Sequence, residues 1–76
     1  MEITKFIELM ADQFEETDIV LLTPATEFKK LDEWSSLIAL SVIALADEEY
    51  DVTLKGDDIR NARTIEDLFN TIKSRK

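Results

Sequence analysis

Glu33-Trp34-Ser35-Ser36-Leu37-Ile38-Ala39-Leu40-Ser41-Val42-Ile43-Ala44-Leu45-Ala46-Asp47-Glu48-Glu49-Tyr50 is the stretch on which the fold turns. Two serines open it, Ser41 alone interrupts the apolar run from Leu37 to Ala46, and three carboxylates close it. The run is about half the ~20 residues that a membrane span requires. It reads instead as a helix from near Ser36 to about Tyr50, with Ser35 or Ser36 as N-cap and Asp32 as the alternative cap. At about 100° per residue, Ala39, Ile43, Ala46 and Tyr50 share one side, the expected core stripe. Ser41 and Glu48 lie opposite, yet Leu37, Ile38, Ala44 and Leu45 flank them there. A helix in so short a chain cannot easily bury its whole circumference. Part of this surface is therefore covered by a loop or offered to a partner. Leu37 and Leu45 fit either case; Ile38, beside Glu49 on the wheel, is expected to be exposed.

Outward from this helix the pattern predicts three more. Ile3, Phe6, Ile7, Met10 and Phe14 recur at helical spacing and predict a helix over roughly Glu2 to Glu16. From Thr17 to Trp34 the periodicity fades around Pro24, which predicts a long crossover, pinned by Leu21, Leu22, Phe28 and Leu31. Asp51 to Asp58 reads as a turn containing the only glycine, Gly56, followed by a short helical turn from about Asp57 to Asn61. The last helix begins at Thr64, where Thr64-Ile65-Glu66-Asp67 is an imperfect capping box. Its stripe is Ile65, Leu68, Phe69 and Ile72, and Lys73, Arg75 and Lys76 complement its C-terminal dipole. The expectation is one all-α domain over residues 1–76, a four-helix bundle with a long first crossover loop and a short third helix.

Composition narrows the chemistry. The 76 residues contain no cysteine and no histidine, so thiolate sites, disulfides, the commonest general base and the commonest metal ligand are all missing. Ser36 as a catalytic nucleophile would lack a suitable base, and the expectation is a non-enzyme with no catalytic residues. Asp47 to Asp58 lacks the spacing of a calcium loop, so no metal site is expected. A net charge of −8 excludes nucleic acid as an expected partner and favours basic patches on other proteins. Met1 to Asp12 mixes charged with apolar residues and does not read as a signal peptide, so a cytoplasmic monomer is the default expectation.

The chain resembles the acyl carrier proteins, the phosphopantetheine-binding carrier family, along its whole length. Ser36-Leu37 matches the end of that family's Asp-Ser-Leu triplet. The apolar run through Ala46, the acidic-aromatic sequence Asp47-Glu48-Glu49-Tyr50-Asp51 and Val52-Thr53-Leu54 follow in the family's order. Phe28 before the motif, Asp57-Asp58-Ile59 after it, and Thr64-Ile65-Glu66-Asp67-Leu68 at the last helix also match. The resemblance implies a 4'-phosphopantetheine arm on Ser36 whose thiol carries acyl groups as thioesters, as in fatty acid biosynthesis. It implies as partners a phosphopantetheinyl transferase and acyl-chain-synthesising and acyl-transferring enzymes with basic docking patches. A specialised carrier of polyketide or aminoacyl groups is the alternative within the family. Outside it, the alternative is a non-covalent acidic interaction module. Ser35 stands where the family carries aspartate, and Ile38 and Ser41 stand where many members carry carboxylates. The expected docking residues are thus Leu37, Ile38, Ser41, Leu45, Asp47 and Glu48, a more hydrophobic set displaced toward the acidic end.

Overall fold

A computed structural model describes residues 2–76. It is all-helical, with four α-helices, and contains no strand among the described residues. The helices are α1 (Ile3–Ala11), α2 (Ser36–Tyr50), α3 (Gly56–Asn61) and α4 (Ile65–Arg75). This is the architecture of a small helical bundle in which the third helix has six residues. No helix is long and apolar enough to cross a membrane.

The first helix stops well short of Glu16. Gln13 and Phe14 donate their N–H groups to the carbonyls of Met10 and Ala11, tightening the chain into a turn. The next donors then leave the helical pattern altogether. Glu15 and Glu16 give theirs to the Glu33 carboxylate at 3.0 and 2.9 Å, and Thr17 N–H joins them. Phe14 nevertheless stays buried, which is why its helical spacing misleads about where the helix ends.

The crossover from Asp12 to Ser35 is ordered by two single-turn 3-10 helices, Ile19–Leu21 and Phe28–Lys30. Its carbonyls serve a second purpose. Pro24 O accepts Glu66 N–H at 2.9 Å and Thr26 O accepts Ile65 N–H at 3.0 Å, satisfying two donors that the start of α4 cannot bond internally. Leu22 and Phe28 are buried, and Leu31 is half-buried against the core. Leu21 is not a pin as the sequence suggested: it is 59% exposed, continuing an apolar surface with Ile19 and Val20.

Phe6 and Phe28, each 0% exposed, anchor the core together with Met10, Val42, Ile65, Leu68 and Ile72. Burying a side chain of this size stabilises the fold by about 1.5–3 kcal/mol before conformational entropy is subtracted. Phe6 joins α1 to both long partners, with its ring 5.5 Å from Phe69 on α4 and 6.1 Å, edge-on, from Tyr50 on α2. The capping box at α4 forms as the sequence predicts: Asp67 N–H donates to Thr64 Oγ1 and Thr64 N–H donates to Asp67 Oδ2, both at 3.1 Å. Asp67 also accepts Arg63 N–H, and these backbone donors hold its carboxyl below the usual carboxylate range.

The basic end of α4 acts as a clasp. Arg75 makes a bidentate pair with Asp58 on α3 and donates to Thr53 O at 3.3 Å, while Lys76 Nζ donates to Tyr50 O at 3.0 Å. The Arg75 guanidinium, aided by Lys55 N–H, lowers the Asp58 pKa. Charges that complement the helix dipole thus also fasten the segment between α2 and α3. Gly56 opens α3 rather than sitting in the preceding turn, because Asp58 accepts Lys55 N–H at 2.8 Å and starts the helix one residue early.

Candidate functional site

Ser36 is the first residue of α2, and it is exposed. The cap is made by its neighbour: Ser35 is in extended conformation and its Oγ accepts Ile38 N–H at 3.3 Å, while Ser35 O accepts Ala39 N–H at 2.9 Å. The Ser36 hydroxyl is therefore free of capping duty, and Asp32 plays no part in the cap. The two helix starts also differ. Loop carbonyls fill the first N–H groups of α4, whereas those of Ser36 and Leu37 meet no acceptor among the described residues. They remain open to an anionic group placed at Ser36.

Two consecutive side chains hold the entry to α2. Trp34 packs edge-on against buried Phe28, with centroids 5.0 Å apart at 66°, and its N–H donates to Leu31 O. Glu33 reaches back to the end of α1. Besides the three backbone donors it accepts the Thr17 hydroxyl at 2.6 Å, and that hydroxyl together with the backbone N–H groups lowers its pKa. The sequence pattern gives Glu33 no structural task. No local signal could have found this role, because its partners lie sixteen to eighteen residues away.

The structure turns α2 relative to the expected stripe. Its buried residues are Val42, Leu45, Ala46 and Tyr50, so Ala46 and Tyr50 of that stripe are kept while Val42 and Leu45 join them, and Ile38 and Ile43 pack partly buried on either side. Ala39 is half-buried. Two expected docking residues are thereby corrected. Leu45 is 5% exposed and belongs to the core, and Ile38 is half-buried against it instead of standing out. Ser41 is half-buried, with its hydroxyl donating to Leu37 O at 3.1 Å, so it adds little polar reach. Leu37, Asp47 and Glu48 are exposed as expected.

The outward stripe is Leu37, Leu40 and Ala44, leading into Asp47 and Glu48. Leu37 and Leu40 are 76% and 61% exposed, and sequence reading missed Leu40 altogether. The helix is so nearly apolar all round that the wheel has no dominant direction. Elsewhere, an open polar groove of about 490 Å³ between α3 and α4 is lined by Asn61, Asn70, Thr71 and Ser74 beside the Asp58–Arg75 pair. Ser36 does not line it. No group of acidic residues suited to a metal ion occurs among the described residues.

Comparison with known proteins returns nothing that names this arrangement: no family model, no curated protein and no solved structure matches the chain.

Proposed function

We propose that the protein is an acyl carrier whose Ser36 is esterified by 4'-phosphopantetheine. The observation that carries this reading is an exposed serine at the first position of α2, released from capping by Ser35. The whole-chain resemblance to acyl carrier proteins supplies its chemical meaning. The residues fit the group: Ser36 Oγ offers the ester point, and the open N–H groups of Ser36 and Leu37 favour a phosphodiester there. When bound, the group supplies a thiol that holds acyl chains as thioesters. The chain's own residues present the attachment point, shield cargo among apolar helices and offer a docking stripe. Leu37, Leu40 and Ala44 give that stripe contact area, and Asp47 and Glu48 favour partners with basic patches. Fatty acid biosynthesis is the pathway that the resemblance favours, with polyketide or aminoacyl transfer as specialised versions of the same chemistry.

Intact mass after co-expression with a phosphopantetheinyl transferase tests the assignment. Wild type and Ser35→Ala gain the adduct, and Ser36→Ala does not. A wild-type chain that stays unmodified across several transferases refutes it. The exposed Leu37–Leu40–Ala44 stripe then favours the second reading, a non-covalent interaction module, in which Leu40→Asp abolishes partner binding while Ser36→Ala has no effect.

A further inference from the structure

Tyr50 carries the one buried side-chain polar atom without a hydrogen-bond partner among the described residues, its hydroxyl oxygen. The residue is 8% exposed and its ring lies edge-on to Phe6, which in turn packs on Phe69. It belongs to one apolar core cluster with Phe6, Met10, Val42, Ala46, Leu68 and Ile72, each 0% exposed. Burial, followed by the nearby Glu49 charge, raises the phenol's pKa, so it is a neutral donor at physiological pH.

A hydroxyl in such surroundings lowers stability, because it gives up its bonds to water and receives none in return. Phenylalanine would fill the same space without that penalty. The backbone carbonyl of Tyr50 is already engaged by Lys76, so the residue's structural ties do not involve the phenol oxygen. What the oxygen adds is the capacity to bond a polar atom that enters the core.

We propose that the Tyr50 hydroxyl is a recognition point for cargo bearing an oxygen on its acyl chain, a hydroxyl or keto group, in preference to plain alkyl cargo. This rests on the carrier reading, in which the bundle shields the acyl chain. An oxygenated chain is costly to bury among apolar helices unless its oxygen finds a partner, and Tyr50 is the unpartnered group in this core. Each of the two polar atoms removes the other's penalty. Selectivity follows because a site built to bond an oxygen leaves its own group unsatisfied when the oxygen is missing.

The experiment loads wild type and Tyr50→Phe at Ser36 with matched octanoyl, β-hydroxyoctanoyl and β-ketooctanoyl cargoes, confirms loading by intact mass, and measures Tm. In wild type the two oxygenated cargoes raise Tm above the octanoyl form by roughly 4–8 °C, about one buried hydrogen bond in a domain of this size. In Tyr50→Phe that difference disappears, and the unloaded variant melts above unloaded wild type. Tyr50 is the chain's only tyrosine, so the NMR signal of its labelled ring carbon bonded to oxygen reports the contact directly. That signal shifts with oxygenated cargo and stays in place with octanoyl. Equal Tm values for all wild-type cargoes, or a difference that survives in Tyr50→Phe, overturns the proposal while the mass data leave the carrier reading standing. A chain that takes no adduct overturns both.

Discussion

Asp51 ends α2 with φ 56° and ψ 39°, the left-handed conformation that favours glycine, and it is the only positive-φ residue among those described. It turns the chain so that Val52 N–H returns to Ala46 O at 3.2 Å and the Val52 side chain enters the core. Two costs are stored at this position. The left-handed conformation disfavours an ordinary L-residue by about 1–2 kcal/mol, less for aspartate, whose side chain tolerates it. A carboxylate at the negative pole of a helix costs a further 0.3–1 kcal/mol or so at low salt, and here it follows Asp47, Glu48 and Glu49. Glycine removes both, offset by roughly 0.5–1 kcal/mol of extra freedom in the unfolded chain. Asp51→Gly therefore gains about 1 kcal/mol, and Asp51→Asn gains about 0.5 kcal/mol from charge alone. Asp51→Ala loses the tolerance and falls below wild type by about 0.5 kcal/mol. In urea melts, where m is about 1 kcal/mol/M for a small domain, these become midpoint shifts of roughly +1, +0.5 and −0.5 M. In about 1 M salt the Asn advantage fades, because the Debye length falls to about 3 Å, while the Gly advantage persists in part. An alanine variant as stable as wild type, or a glycine variant no better than asparagine at any salt, refutes the backbone argument.

Two other outcomes follow from the entry to α2. Ser35→Ala loses the cap and about 1 kcal/mol of stability in urea melts, whereas Ser36→Ala is neutral within about 0.5 kcal/mol; equal losses would contradict the division of labour between the two serines. Glu33→Gln lowers the urea midpoint at neutral pH. The folded pKa of Glu33 lies below its ordinary value of 4.5, so its stabilisation is present above 4.5 and lost as pH falls through the lower folded value. The gap between wild type and Glu33→Gln accordingly closes on acidification, and a gap unchanged by pH would show that the carboxylate's charge contributes nothing.

The helix inventory was legible because each long helix announces itself locally. Thr64 and Asp67 sit at capping spacing, and the α4 stripe Ile65, Leu68, Phe69 and Ile72 is all buried. What the sequence could not show depends on contacts distant along the chain. The end of α1 is decided by Glu33, and the start of α4 is completed by carbonyls of Pro24 and Thr26. Phe14 kept helical period while lying beyond the helix, because burial and helical conformation are separate properties of a residue. The rotation of α2 was illegible for a different reason. With leucine, isoleucine, valine or alanine on nearly every face, the wheel offers several stripes of similar apolarity. The choice falls to the shape of the surrounding helices and crossover.

That choice has a consequence for how a partner would be recognised. The side buried is Val42–Leu45–Ala46–Tyr50, so the surface left open is Leu37–Leu40–Ala44 and then Asp47–Glu48. The two halves of this surface act at different moments. Carboxylates at the rim of a contact steer encounter and set its salt dependence, whereas apolar side chains at its centre exclude water and govern how long the complex lasts. On the carrier reading, α2 thus places residence time next to Ser36 and steering at the far end of the helix. Ile38 then matters indirectly, by fixing from the core side the angle at which Leu37 and Leu40 stand out. On that reading, an apolar residue at a position where many acyl carrier proteins have a carboxylate need not be a docking residue at all. Ile38 then acts as a packing residue, and the docking surface of the carrier reading falls on Leu37 and Leu40 instead.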